Sequence, residues 1–174
     1  MLFLKAHYQE VVQKDLILTE AVKSASAVSC PTKIILSIGG ENLNESYIIS
    51  CLFILKYLTG HKPYIIRQKL ENFQEGEALG SQLILRKSCM YMFLDQLLFS
   101  ILQYAKHFEG FQVPTHHNSF SFVITDLFSL DELGPVLVYL DRVNSIQCQF
   151  YFSTTKAVDV NVLCKSFSIC SSDS

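Results

Sequence analysis

Apolar positions in this chain recur at two intervals, and those intervals separate helices from strands. "AHYQEVVQKDLILTE" (6–20) has helical spacing. "TKIILSI" (32–38) alternates instead: Ile34, Leu36 and Ile38 point one way, Lys33, Ile35 and Ser37 the other, and Gly39 and Gly40 end the strand. A second helix starts near Asn42 or Asn44, both capping residues, and carries Ile48, Cys51, Leu52, Leu55 and Leu58 on one face. Thr59 and Gly60 stop it, because Gly accepts the left-handed conformation just past a helix end, and Pro63 sets an extended approach to "YIIRQK". "LENFQEGEALG" reads as a hairpin connection and "SQLILRK" as its return strand, with Leu83 and Leu85 inward and Gln82, Ile84 and Arg86 outward.

Ser88 is placed to cap a long helix reaching His107, in which Met90, Leu94, Leu97, Leu98, Ile101, Ala105 and Phe108 recur at helical intervals. Two more strands follow. "SFSFVIT" sets Phe120, Phe122 and Ile124 on one face, and "IQCQFYFST" sets Ile146, Cys148, Phe150 and Phe152 against Gln147, Gln149, Tyr151 and Ser153. Residues 157–167 can form a closing helix. Each strand has one apolar face and one face bearing Ser, Gln, Lys, Arg or Tyr, as a sheet covered by helices on one side only requires. The expected class is α+β: a single domain over 1–174 with a mostly antiparallel sheet, helices on one face, an open polar face, and a tail from about 170 that packs on nothing.

Composition sharpens this picture. Apolar residues make up 49% of the chain and charged residues 17%, a globular balance. Fourteen Lys and Arg against sixteen Asp and Glu leave a formal charge of −2, which argues against an overall electrostatic grip on nucleic acid. The charge is uneven, however: from Lys56 to Lys87 there are six basic residues and three Glu, a local excess of +3. The run "YIISCLFILKYL" falls short of the roughly 20 residues of a membrane span and contains Lys56, so it reads as a core helix. "MLFLKAHYQE" carries neither an Arg-rich, acid-free transit pattern nor a small-residue cleavage site.

Candidate chemistry is sparse. The six cysteines form no C-x-x-C pair and read as small apolar residues of a reducing compartment. His116 and His117 are adjacent and lack a third ligand at metal-binding spacing. Cys89, near a helix start, has no base placed beside it by motif. Asp126, Asp131 and Glu132 read as loop and cap chemistry. No phosphate-binding Gly-rich loop or nucleophile elbow occurs. No cofactor, metal or membrane is expected. Three function classes remain: an RNA-contacting protein using the basic region and the open sheet face, a protein-interaction module, and a small α+β enzyme using Cys89 or His116 and His117.

The ordered series "KIILSIGG", "LTGHKP", "GSQLILRKSCMYMFLDQLL", "HFEGF", "NSFSFVI", "DRV" and "FSTTKA" resembles the universal large-subunit ribosomal protein five family, from about His7 to Phe167. Gly60, Lys62 and Pro63 match the family's GxKPxxTxA. Gly80, Leu85, Arg86, Met90, Phe93, Leu94 and Leu97 match its GxxVTLRGxxMxxFLxxL, and Asp141 and Arg142 match its late DRVRG. The resemblance implies an α+β fold and a structural role: binding 5S ribosomal RNA and large-subunit RNA in the central protuberance, beside neighbouring proteins, small-subunit protein thirteen and P-site tRNA. Together with the basic region and the open sheet face, it points to Lys33, Ser37, His61, Lys62, Arg67, Lys69, Gln82 and Arg86 as RNA-binding residues. Two departures stand out. Ser37, His61 and Ile84 occupy positions where the family often has Asn, Gln and Thr, and "QKLENFQEG" puts Glu71 and Glu75 where the family loop is basic. Such divergence, with many Phe and Cys, suggests an organellar, mitochondrial member working in the matrix ribosome.

Overall fold

Strands pair in the order β2-β3-β1-β5-β4, so β3 lies between β1 and β2 although it follows both in the chain. In the computed structural model, which describes residues 3–20, 28–40, 44–69, 75–101, 119–125, 127, 131–136 and 143–153, the strands are β1 (Pro31–Gly39), β2 (Tyr64–Lys69), β3 (Glu75–Arg86), β4 (Ser119–Ile124) and β5 (Ile146–Phe152). Helices are α1 (Phe3–His7), α2 (Gln13–Glu20), α3 (Glu45–Thr59) and α4 (Lys87–Gln96). β2 and β3 are antiparallel, with Tyr64 opposite Gln82 and Ile66 opposite Gly80. The β1 and β5 partners also run in opposite senses: the Ser153 N–H donates to the Cys30 carbonyl at 2.8 Å, and the Thr32 hydroxyl to the Tyr151 carbonyl at 2.9 Å. This is the expected α+β class with an antiparallel sheet. Among the described residues no helix is long and apolar enough to cross a membrane.

The alternation read from the sequence recurs in the burial of β5, of the second half of β3, and of β1 apart from Ile35, which is buried as well. Ile34, Leu36 and Ile38 are buried on one face of β1, Leu83 and Leu85 on β3, and Ile146, Cys148, Phe150 and Phe152 on β5. The chain divides into two compact units. The first comprises Met1–Ile34, Arg86–Ser121 and Gln149–Ser174. Its N-terminal helical segment buries Leu4, Tyr8, Val12 and Leu16, every fourth residue. In an α-helix four residues overshoot a turn by about 40°, so such a stripe drifts. The wider π turn at Tyr8–Val12, closed by the Gln13 N–H on the Tyr8 carbonyl, winds the stripe back. The Leu4 N–H at the helix start donates to the Asp95 carboxylate on α4 at 3.1 Å, and the Tyr8 hydroxyl donates to the Ser29 carbonyl at 2.9 Å. Phe120 stacks on Phe150 with centroids 4.8 Å apart.

The second unit comprises Ile35–Leu85 and Phe122–Cys148. Here α3 buries Tyr47, Ile48, Ser50, Cys51, Ile54, Leu55 and Leu58. Leu52, expected on this face, is only half-buried, and Ile54 takes the core position instead. Asn44 is the N-cap, as one expectation had it, but it caps through its carbonyl, which accepts from the Tyr47 and Ile48 N–H groups, and not through its side chain. Glu45 in the first turn and Lys56 in the last complement the helix dipole. Burial pushes the Cys51 thiol up to about 11, and burial likewise raises that of Cys148, so both remain neutral thiols inside the core at ordinary pH.

Two boundaries differ from expectation. β3 begins at Glu75, inside the stretch read as a connection, because irregular register between Ile66 and Lys69 lets its polar first half pair with β2. α4 begins at Lys87, so Ser88 lies within its first turn and does not cap it. The chain passes from extended Arg86 (φ −140°, ψ 161°) into the helix through Lys87 at φ 53°, a left-handed conformation in the motif position that the family resemblance gives as Gly. The closing helix and the part of the long helix beyond Ile101 lie outside the described residues.

Gly80 is where β3 comes closest to β1: a methyl group on its Cα would collide with the carbonyl oxygen of Ile38. Gly80→Ala is therefore expected to destabilise the protein by about 1–3 kcal/mol or more in urea denaturation. Lys87→Gly, which relieves the left-handed strain, is expected to be neutral or to stabilise by up to about 1 kcal/mol in the same measurement.

Candidate RNA interface

The face of the sheet that the core leaves uncovered is built from the positions out of phase with the buried ones. In the second unit these include Ser37 on β1, Tyr64 and Ile66 on β2, Gln82 and Ile84 on β3, and Gln147 on β5. The Ser37 hydroxyl donates to Gln147 Oε1 at 3.4 Å, and the Tyr64 hydroxyl donates to Gln82 Oε1 at 2.5 Å. Both pairs are neutral, carry spare donors or acceptors, and stand on rigid strands, the setting in which base and sugar groups are read. The face is less polar than the sequence suggests. Ile84 is exposed there, while Ile35, in phase with Lys33 and Ser37, is 7% exposed and covered by its neighbours.

At the head of β2 the α3 terminus builds a cationic corner. Gly60 takes φ 70°, and its N–H donates to the Lys56 carbonyl at 2.8 Å. The Thr59 hydroxyl donates to the Leu55 carbonyl at 2.7 Å and accepts from the His61 N–H at 3.3 Å, tying the turn to the helix. Pro63 is buried, and His61 and Lys62 between these anchors are exposed. Arg67 is exposed on β2. Lys69 ends β2 opposite Glu75 in register, so an acidic residue stands across from it; its side chain lies outside the described set.

The first unit holds two of the expected residues. The Lys33 ammonium lies 4.3 Å from the centroid of the Tyr151 ring, a cation–π contact, and the Tyr151 hydroxyl donates to Gln149 Oε1 at 3.4 Å. Arg86 is exposed at the junction of β3 and α4. Thus the structure joins Ser37 to Gln147 and Gln82 to Tyr64, and sets His61 beside Lys62. Gln147, Tyr64 and Tyr151 were not among the expected site residues, although the period of two in "IQCQFYFST" already turned Gln147 and Tyr151 outward.

Of the alternative chemistry, Cys89 is half-buried in the first turn of α4. Among the described residues no three His, Cys, Asp or Glu side chains gather as metal ligands. His116, His117 and Asp126 lie outside the described residues.

No family model matches the chain. Individual proteins do. It is 25% identical to the large ribosomal subunit protein uL5 of Mycoplasma pneumoniae over 174 residues, covering 95% of this chain and 96% of that one. It is 26% identical to the large ribosomal subunit protein uL5m of Reclinomonas americana, with the same coverage. It is 36% identical to the uL5 of Fusobacterium nucleatum over 121 residues, 65% of this chain and 63% of that one. The chain is similar to uL5 proteins over nearly its whole length. The similarity agrees with the motif series seen in the sequence, and the matched regions span both compact units. Lys87 and Ile84 are where local geometry and hydrogen-bonding capacity depart from the motif quoted above.

The Lys33–Tyr151 contact predicts a coupling of about 0.5–1 kcal/mol in a double-mutant cycle of Lys33→Met and Tyr151→Leu followed by urea denaturation. Additive losses would show that the ammonium gains nothing from the ring.

Proposed function

We propose that this chain is a non-catalytic structural constituent of the large ribosomal subunit that binds 5S ribosomal RNA in the central protuberance. The similarity over nearly the whole length to uL5 proteins carries the reading. Large-subunit RNA and neighbouring ribosomal proteins are its surroundings, with small-subunit protein thirteen and P-site tRNA reached across the subunit interface. The RNA-binding residues are Lys33, Ser37, His61, Lys62, Arg67, Lys69, Gln82 and Arg86.

The side-chain chemistry supports this division of labour. Lys62, Arg67 and Arg86 are exposed cations suited to phosphates, which position the protein. Ser37 and Gln82 suit sugars and base edges. A net charge of −2 leaves only a modest electrostatic component, so neighbouring proteins share in holding the chain. The apolar stripe Ile49, Phe53 and Tyr57 exposed along α3 is surface of the kind protein neighbours cover. A mitochondrial ribosome is the proposed location, supported by the uL5m relative and the divergent composition.

Lys62→Ala and Arg86→Ala are each expected to weaken binding to 5S ribosomal RNA and to lower the slope of log affinity against log salt by about one, read by fluorescence anisotropy across a salt series. Unchanged affinity and slope in both variants would point to a protein-facing surface instead.

A further inference from the structure

Tyr64 combines two properties: the residue is 45% exposed, and its hydroxyl is anchored. Tyr64 and Gln82 are direct partners across the β2–β3 pair, and the phenol donates to Gln82 Oε1 at 2.5 Å. A core tyrosine would be covered, and an incidental surface tyrosine would keep its rotamer freedom. Here that freedom is already spent before any partner arrives, which lowers the entropic cost of binding. Ile84, two residues beyond Gln82 on the same face, is 36% exposed and extends the apolar surface. Exposed Lys62 precedes Tyr64 by two residues across buried Pro63.

We propose that Tyr64, held by Gln82, is a stacking platform for one unpaired nucleobase of an RNA strand, with Lys62 drawing the adjoining phosphate. The inference rests on the RNA-binding reading above and adds to it a base-contacting residue chosen by shape and not by charge. A flat ring accepts the π-face of any base, and the neighbouring cation complements the backbone that carries it. With its oxygen occupied by the phenol, Gln82 turns its amide nitrogen into a donor for the base edge. Ile84 fits the same picture: where a hydrogen-bonding residue would hold a base by its edge, an aliphatic one supports it by contact.

The test uses the full chain and two labelled probes, a short single-stranded oligouridylate and an abasic ribose-phosphate strand of equal length, titrated by fluorescence anisotropy. Tyr64→Leu is expected to weaken oligouridylate binding roughly 5- to 100-fold, to leave abasic-strand binding unchanged, and to leave the salt slope unchanged. Tyr64→Phe keeps most of the affinity, and thermal unfolding of both variants checks that the fold is intact. Equal losses for both probes, or no loss for either while the unaltered chain binds RNA, would reject the platform alone. Failure of the unaltered chain to bind oligouridylate, the abasic strand or 5S ribosomal RNA would reject the RNA reading together with it. If Tyr64→Leu instead spares RNA binding and impairs association with isolated large-subunit proteins, the ring belongs to a protein contact.

Discussion

The constraint on which the rest depends is the period of two along the strands. Because Ile34, Leu36 and Ile38, Leu83 and Leu85, and Ile146, Cys148, Phe150 and Phe152 must all be buried, the intervening residues have no choice of side. A slip of one residue in β1, β3 or β5 would expose its apolar set, so the same burial that stabilises the sheet fixes which polar groups face outward. Ser37, Gln82 and Gln147 are therefore placed by the residues beside them. Gly80 tightens this constraint further, since the close approach of β3 to the Ile38 carbonyl allows no side chain and pins the relation of the two strands.

Such a face suits the proposed RNA contact, because groups on paired strands need no large rearrangement to be presented. The cationic corner adds a second device, a helix end whose Gly60, Thr59 and Pro63 hold the backbone while His61 and Lys62 are left outward. The chain carries few such cations, and one of them, Lys69, stands opposite Glu75. Shape and neutral hydrogen bonding thus have to supply more of the interface than charge does.

Much of this was legible in the sequence, and the reasons are local. β1, β3, β4 and β5 follow from alternation, β2 from the extended approach that Pro63 sets, and the α3 stop from Gly60, because these signals are carried by nearby residues. The early start of β3 was not legible: Glu75 and Glu77 look like connection residues, and only irregular pairing with β2 makes them strand. Ser88 looked like a cap, yet the helix begins at Lys87 in a left-handed turn that no propensity favours. The site was legible where it rested on charge or on Gly and Pro. It was not where it rested on pairing: that Gln147 meets Ser37 and Gln82 meets Tyr64 depends on strand order and register. Tyr64 carries no charge and opens a strand without clear alternation, so nothing in the local sequence singles it out.

In the proposed assembly the chain sits in a large ribosomal subunit with its sheet face and β2 corner against ribosomal RNA. Ultraviolet crosslinking of isolated large subunits from the source organism, followed by mass spectrometry of RNA-modified peptides, tests it most directly. Nucleotide adducts are expected within the peptides that carry Lys62, Tyr64 and Arg67. Recovery of the chain in the subunit with those peptides joined only to proteins, or its absence from the subunit altogether, would contradict it.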